Sequence, residues 1–241
     1  MVLQFHHREF EEQVRTELGI FDRPITEEDA LLVSHLDLSN FSFCIEDMET
    51  LSVFKNLRDL DVDMWHSTPE FWHNFPHMEY LYVCVGDDFD FASFQSMKEL
   101  TYLFVSGGDD SGVDYLHLEA LLPLEKLQEL HLHEFGSVDL LPLASMPQLR
   151  ELGVYYADRI WNIDIIGSLS QLEELQLTGL YVDSLDFLDR LPDHIRLDLC
   201  GIHVYGGVEP LKWKRFTERD IREISVNDKD YIYIDLSMLD D

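Results

Sequence analysis

The sequence predicts an α/β solenoid: about nine short parallel strands stacked side by side, each returned by turns, 3₁₀ pieces and short helices. Three observations predict it. The pattern apolar-x-x-apolar-x-apolar occurs nine times between Val33 and Val226, one copy having a polar first residue. The first positions of successive copies lie 24, 21, 22, 27, 22, 23, 22 and 27 residues apart. Between the copies stand further apolar residues, interrupted by prolines that keep the return segments short.

In chain order, residues 1–32 read as a helical N-terminal cap. Phe10, Val14 and Leu18 recur at four-residue spacing on one helical face, and Gly19 is a helix stop. Thr26 with Asp29 predicts a capped second short helix leading into the first strand. The repeats fill 33–227: Val33-Leu36-Leu38, Leu57-Leu60-Val62, Met78-Leu81-Val83, Leu100-Leu103-Val105 and Leu127-Leu130-Leu132. Then come Leu149-Leu152-Val154, Leu172-Leu175-Leu177, His194-Leu197-Leu199 (polar at its first position) and Ile221-Ile224-Val226. The last two apolar residues of each motif are two apart, so on a strand they share a face. One such strand cannot bury that face alone, whereas a stack of them forms a continuous core. Val138, Leu140, Leu143 and Met146, and again Val182, Leu185, Leu188 and Leu191, supply the layer behind the strands. The two 27-residue steps predict insertions at about 107–120 and 203–218. Ile232, Ile234 and Leu236 read as a closing strand within 228–241, followed by an acidic tail, so 1–241 is expected to be one domain.

These repeats resemble the bacterial leucine-rich repeats of about 22 residues found in internalin-like proteins, most closely over Leu127–Leu149 and then Leu172–Leu191. The resemblance covers roughly residues 5–227 and implies a horseshoe with its strands on the concave side, turns and short helices on the convex side, and a protein-binding role. Two features depart from it. The asparagine usual after each strand is replaced by Phe41, Trp65, Gly86, Gly108, Phe135, Ala157, Leu180, Ile202 and Lys229. The secretion signal and wall anchor of surface internalins are not present, which argues against extracellular adhesion.

Charge and composition narrow the function. The net charge is −31, from 48 acidic and 17 basic residues, a field that repels nucleic acid and anionic membranes and favours a basic partner. The bland alternative is that the acid only keeps an elongated protein soluble. No apolar run is long enough for a membrane helix. The start, Met1 to Glu12, does not read as a signal peptide, and three scattered cysteines (Cys44, Cys84, Cys200) suit a reducing compartment, so a cytoplasmic protein is expected.

With the apolar positions inside, the interleaved residues face out from the strands. Tyr80, Tyr82, Tyr102 and Phe104 fall on two neighbouring strands, with His131, His133 and Tyr155 following. Asp59, Asp61, Asp63, Glu129 and Glu151 provide an acidic rim. Aromatic centres with charged surrounds are the composition of interface hot spots, although aromatic residues also favour strands for packing alone. These twelve residues are the candidate partner-binding site. The expected function is a non-enzymatic protein-interaction module for a basic protein partner. The narrower alternative is an inhibitor or immunity-type protein that neutralises a basic toxin or nuclease, and the third is an enzyme of unknown type. No nucleophile–base pair or phosphate-cradling loop is visible, so no catalytic residue, cofactor or metal is assigned.

Three sharper motifs compete with this reading. Asp59, Asp61, Asp63 and Glu70 have calcium-loop spacing, but Met64 stands where that loop needs glycine, and Leu60 and Val62 alternate as a strand. Glu129, His131 and His133 share a strand face and have the donor types for zinc, yet exposed histidines are common on binding surfaces; the same histidines would also make binding pH-sensitive. The basic cluster Lys212, Trp213, Lys214, Arg215, with Arg219 and Arg222, sits in an otherwise acidic chain and reads as a salt-bridged surface or second contact rather than a nucleic-acid site.

Overall fold

The computed structural model describes residues 1–39, 45–64, 69–86, 89–107, 115–205 and 224–226. The expected closing strand at 232–236 and the basic cluster from Lys212 lie outside them. So do the carboxylates of the Gly107–Asp110 turn. The chain divides into two compact units, 1–112 with 123–127, and 113–122 with 128–241. The division runs through the first predicted insertion. A repeat array in which each copy packs on its neighbours offers such a point where the spacing is broken.

Unit 1 opens with α1 (Arg8–Leu18), which buries Phe10 and Val14 and ends at Gly19 in the left-handed region with φ 65°. Helix α2 (Glu27–Ala30) has the predicted capping box: the Asp29 backbone N–H donates to Thr26 Oγ1, and the Thr26 N–H donates to Asp29 Oδ2. Arg23 also grips Asp29 at 2.6 Å, and these bonds hold that carboxyl well below the usual range. Then follow β1 (His35–Leu38), α3 (Ile45–Leu51), β2 (Asp59–Met64), α4 (Pro69–Trp72), β3 (Tyr80–Val85), a 3₁₀ turn at Phe91–Phe94 and β4 (Tyr102–Ser106). The four strands are parallel and adjacent in chain order. Their motif residues are all buried, and Trp72, Phe75 and Phe94 fill the layer behind them.

Unit 2 contains β5 (Tyr115–Leu116), β6 (Glu129–His133), β7 (Ser137–Asp139), β8 (Glu151–Tyr155), β9 (Arg159–Trp161), β10 (Glu174–Thr178), β11 (Tyr181–Val182), β12 (Arg196–Cys200), β13 (Ile202–Val204) and β14 (Ile224–Val226). Strands β6, β8, β10 and β12 form a parallel run in strict register, so Leu130, Leu152, Leu175 and Leu197 stack as one buried row. Four 3₁₀ turns carry the chain back: Leu118–Leu121, Leu141–Ser145, Ile163–Ser168 and Asp186–Arg190. The short strands make two side ladders, β5-β7-β9 and β11-β13-β14.

The corner that joins a main strand to its side strand is the same each time. Glu134, Tyr156, Gly179 and Gly201 all adopt the left-handed conformation, with φ of 58°, 54°, 63° and 62°. The residue after each corner, Phe135, Ala157, Leu180 and Ile202, is buried. The asparagine expected there from the resemblance is therefore replaced by apolar core, and van der Waals packing takes over from an amide ladder.

The ninth motif is placed differently from the sequence expectation. Strand β14 pairs with β13, matching Ile202 to Ile224 and Val204 to Val226. Among the described residues it extends a side ladder and does not continue the run from β12. The spacing explains this: 202 to 224 is 22 residues, a full repeat, whereas the motif-to-motif step of 27 overshoots.

Candidate partner-binding faces

The candidate residues fall in both units. In unit 1 the outward positions of β1–β4 form a regular grid. His35, Asp59, Tyr80 and Tyr102 make one row, and Asp37, Asp61, Tyr82 and Phe104 the next. Tyr80 stacks on Tyr102 with ring centres 3.9 Å apart, and Tyr82 on Phe104 at 4.2 Å. Parallel pairing puts identical ring positions side by side, so the rings lie nearly flat against each other at 7°. The flat pairs form an apolar platform bordered directly by carboxylates. Tyr80 is 38% exposed and the other three rings are partly covered.

Asp61 is the unusual member. Its Oδ1 is buried and has no hydrogen-bond partner among the described residues. Burial first, then Asp37, Asp63 and Asp59, pushes its carboxyl up to about 6, with His35 pulling the other way. His35 faces Asp59 at 2.9 Å. A buried carboxylate oxygen without a donor is costly to the fold. Burial, then Cys84 and Asp61, pushes Tyr82 up to about 12, so its phenol stays protonated and can donate. Burial and Asp63 also push the Cys84 thiol up to about 12, which leaves it a poor nucleophile.

In unit 2, His131 departs from the expectation of an exposed contact residue. It points outward from β6 but is only 6% exposed. Its register neighbour on β8 is Gly153, where an added Cβ would lie 2.3 Å from His131 Nδ1 and 2.5 Å from the Tyr155 hydroxyl. The missing side chain leaves a hole that the imidazole and the tyrosine ring fill together. His131 Nδ1 lies 3.2 Å from the Tyr155 hydroxyl, and that hydroxyl donates to Gln176 Oε1. Burial pushes His131 down to about 4, so the pH-sensitive role considered for it falls outside the physiological range. His133 is half-covered and lies 3.3 Å from Glu134.

Glu129, Glu151 and Glu174 are neighbours in register, and Arg196 follows them in the row. Gln176 Nε2 donates to both Glu151 and Glu174, and Arg196 pairs with Glu174. Burial, then Glu174 and Glu129, pushes Glu151 up. The sequence reasoning placed Gly153 and Gln176 on the outward face but did not count them among the candidate residues. It also missed Tyr181, His203 and Tyr205, which stack along the β11–β13 side ladder at 4.5 and 5.6 Å. The 22-residue step from Tyr181 to His203 was the available signal.

Among the described residues no helix is long and apolar enough to cross a membrane. Short parallel strands returned by 3₁₀ turns at a 22-residue period form a leucine-rich-repeat solenoid. Internalin C2 of Listeria monocytogenes shares it, with a TM-score of 0.63 and 14% sequence identity over 92% of this chain and 94% of that one. A second internalin of the same organism, inlF, matches 83% of this chain and 71% of its own, with a TM-score of 0.48 and 16% identity. No protein-family model and no curated protein sequence matches the chain.

Proposed function

We propose that this protein is a non-enzymatic interaction module that binds a basic protein partner on the outward face of unit 1. The observation that carries the reading is Asp61. Its orphaned, buried oxygen stands next to Tyr82 in register, between Asp37 and the Tyr82–Phe104 stack. An arginine or lysine inserted there would pair with Asp61 and lie against aromatic rings, a combination of ion pairing and cation–π contact. The net charge of −31 speeds the encounter with such a partner. An inhibitor of a basic toxin or nuclease is the narrower form of the same reading.

Asp61 supplies a test with opposite signs for stability and binding. Its raised pKa means the folded chain favours the protonated form. That contribution is complete below the ordinary carboxyl range and is lost as pH rises through about 6. Ionised Asp61 thus weakens the fold at neutral pH. The Asp61→Asn variant is expected to melt higher than wild type at pH 7.5, by on the order of 1 kcal/mol after allowance for solvent screening, and to show little gain near pH 4. The same variant should recover at least about tenfold less of a basic partner in quantitative affinity capture. A captured set identical to that of wild type would contradict the proposal.

A further inference from the structure

We propose that Glu129, His131 and Glu151 form a site for one zinc ion that joins two neighbouring repeats of unit 2. It is independent of the partner surface of unit 1. One ligand atom from each residue lies within 4.8 Å of the other two, and among the described residues this is the group of three potential ligands that comes together. His131 Nε2 is 3.5 Å from Glu151 Oε1. Zinc holds nitrogen and oxygen ligands at about 2.0–2.2 Å, so neighbouring ligand atoms around it sit roughly 3.3 Å apart. Binding an ion would draw these atoms together from the observed spacing by side-chain rotation.

The site is more than gathered acid. Its centre is an imidazole that is more than nine-tenths buried although it stands on the outward face of the strand run. The Tyr155 hydroxyl at Nδ1 fixes the ring, as a hydrogen-bond partner on the far nitrogen does for ligating histidines, and turns Nε2 toward the carboxylates. The Gln176 amide steadies Glu151 from the neighbouring strand. Gly153 leaves the space that lets His131 and Tyr155 take these positions.

Charge also favours a cation. Glu129, Glu151 and Glu174 stand in one row, and Arg196 pairs with Glu174 at its end. An ion between the other two would balance what Arg196 does not reach. An imidazole nitrogen among the ligands selects zinc over calcium, which takes oxygen ligands. The zinc set considered from sequence is thereby corrected: Glu151, from the next strand, takes the place of His133, which lies against Glu134. Three protein ligands leave a fourth position for water or for a donor from a bound protein.

The test uses the full chain stripped with a chelator and titrated with zinc by calorimetry, with cobalt(II) absorption as a geometric probe. The expected result is one ion per chain and the visible bands of four-coordinate cobalt. His131→Asn and Glu151→Gln should each lower affinity more than tenfold. Tyr155→Phe should lower it by roughly tenfold, and His133→Asn should leave it unchanged. Glu151→Gln preserves shape and hydrogen-bonding capacity, and circular dichroism of each variant verifies the fold. No stoichiometric binding by wild type, or equal affinity in wild type and the His131→Asn, Glu151→Gln double variant, overturns the proposal.

Discussion

Leu152→Asp is expected to unfold unit 2 at ambient temperature. Leu152 is fully buried and sits in the middle of a row, between Leu130 on β6 and Leu175 on β10. The substitution removes a large apolar side chain from a packed interior, which costs about 2–5 kcal/mol, and leaves a carboxylate with no donor beside it. The outward neighbours do not reach it, because alternate residues of a strand point to opposite sides. A repeat stack transmits the loss to both adjoining repeats, since each buries its own apolar side against the next. The combined penalty is comparable with the whole stability of an ordinary domain. Far-UV circular dichroism and chemical denaturation should show a loss of cooperative unfolding in this part of the chain. A native-like transition within about 1 kcal/mol of wild type would mean that Leu152 does not face a shared core.

The second large effect is expected on binding. Tyr82→Ala with Phe104→Ala should weaken association with the proposed basic partner by roughly a hundredfold, or about 2–4 kcal/mol, measured by calorimetry with the protein recovered by affinity capture. The two rings form one stacked unit 4.2 Å apart, so removing one leaves the other without its face contact. Both stand on the outward side of the strands, with the buried Leu81, Val83, Leu103 and Val105 pointing the other way. The fold is therefore expected to survive, and the melting transition of the double variant provides the control. Tyr82→Phe keeps the stack and removes only the hydroxyl, so its effect should be several times smaller. Unchanged affinity in the double variant would remove these rings from the interface.

Much of the fold was legible because the leucine spacing and the strand period coincide. Two apolar residues separated by one position, recurring about every 22 residues, leave few other ways to bury them. The caps were legible too: Gly19 and the Thr26–Asp29 pair act through local backbone chemistry that a few residues determine. The ninth strand was misplaced because an apolar pattern says which residues are buried and not which ladder they join. The step of 22 from Ile202 to Ile224 carried that information, and the step of 27 obscured it. The left-handed corners at Glu134 and Tyr156 could not be anticipated, since neither residue type favours positive φ.

The site was legible only as to side. Alternation along β6 correctly turned His131 away from the core, but its burial depends on Gly153 in the neighbouring strand and on Tyr155 leaning back over the gap. That is a property of three side chains in two repeats, invisible in any single motif. In unit 1 the pairing of Asp59 with Tyr80 and of Asp61 with Tyr82 follows from register, whereas the orphaned oxygen of Asp61 depends on how the surrounding side chains pack.

The most direct test of the central claim is site-specific photo-crosslinking. A photoreactive phenylalanine analogue placed at Tyr82, and separately at Leu141 as an exposed position on a return turn of unit 2, is irradiated in cell extract. The account predicts a crosslink to a basic protein from position 82 that is competed by unlabelled wild-type protein and is missing from position 141. Crosslinks to that protein only from position 141, or none from position 82 while the partner remains bound, would contradict it.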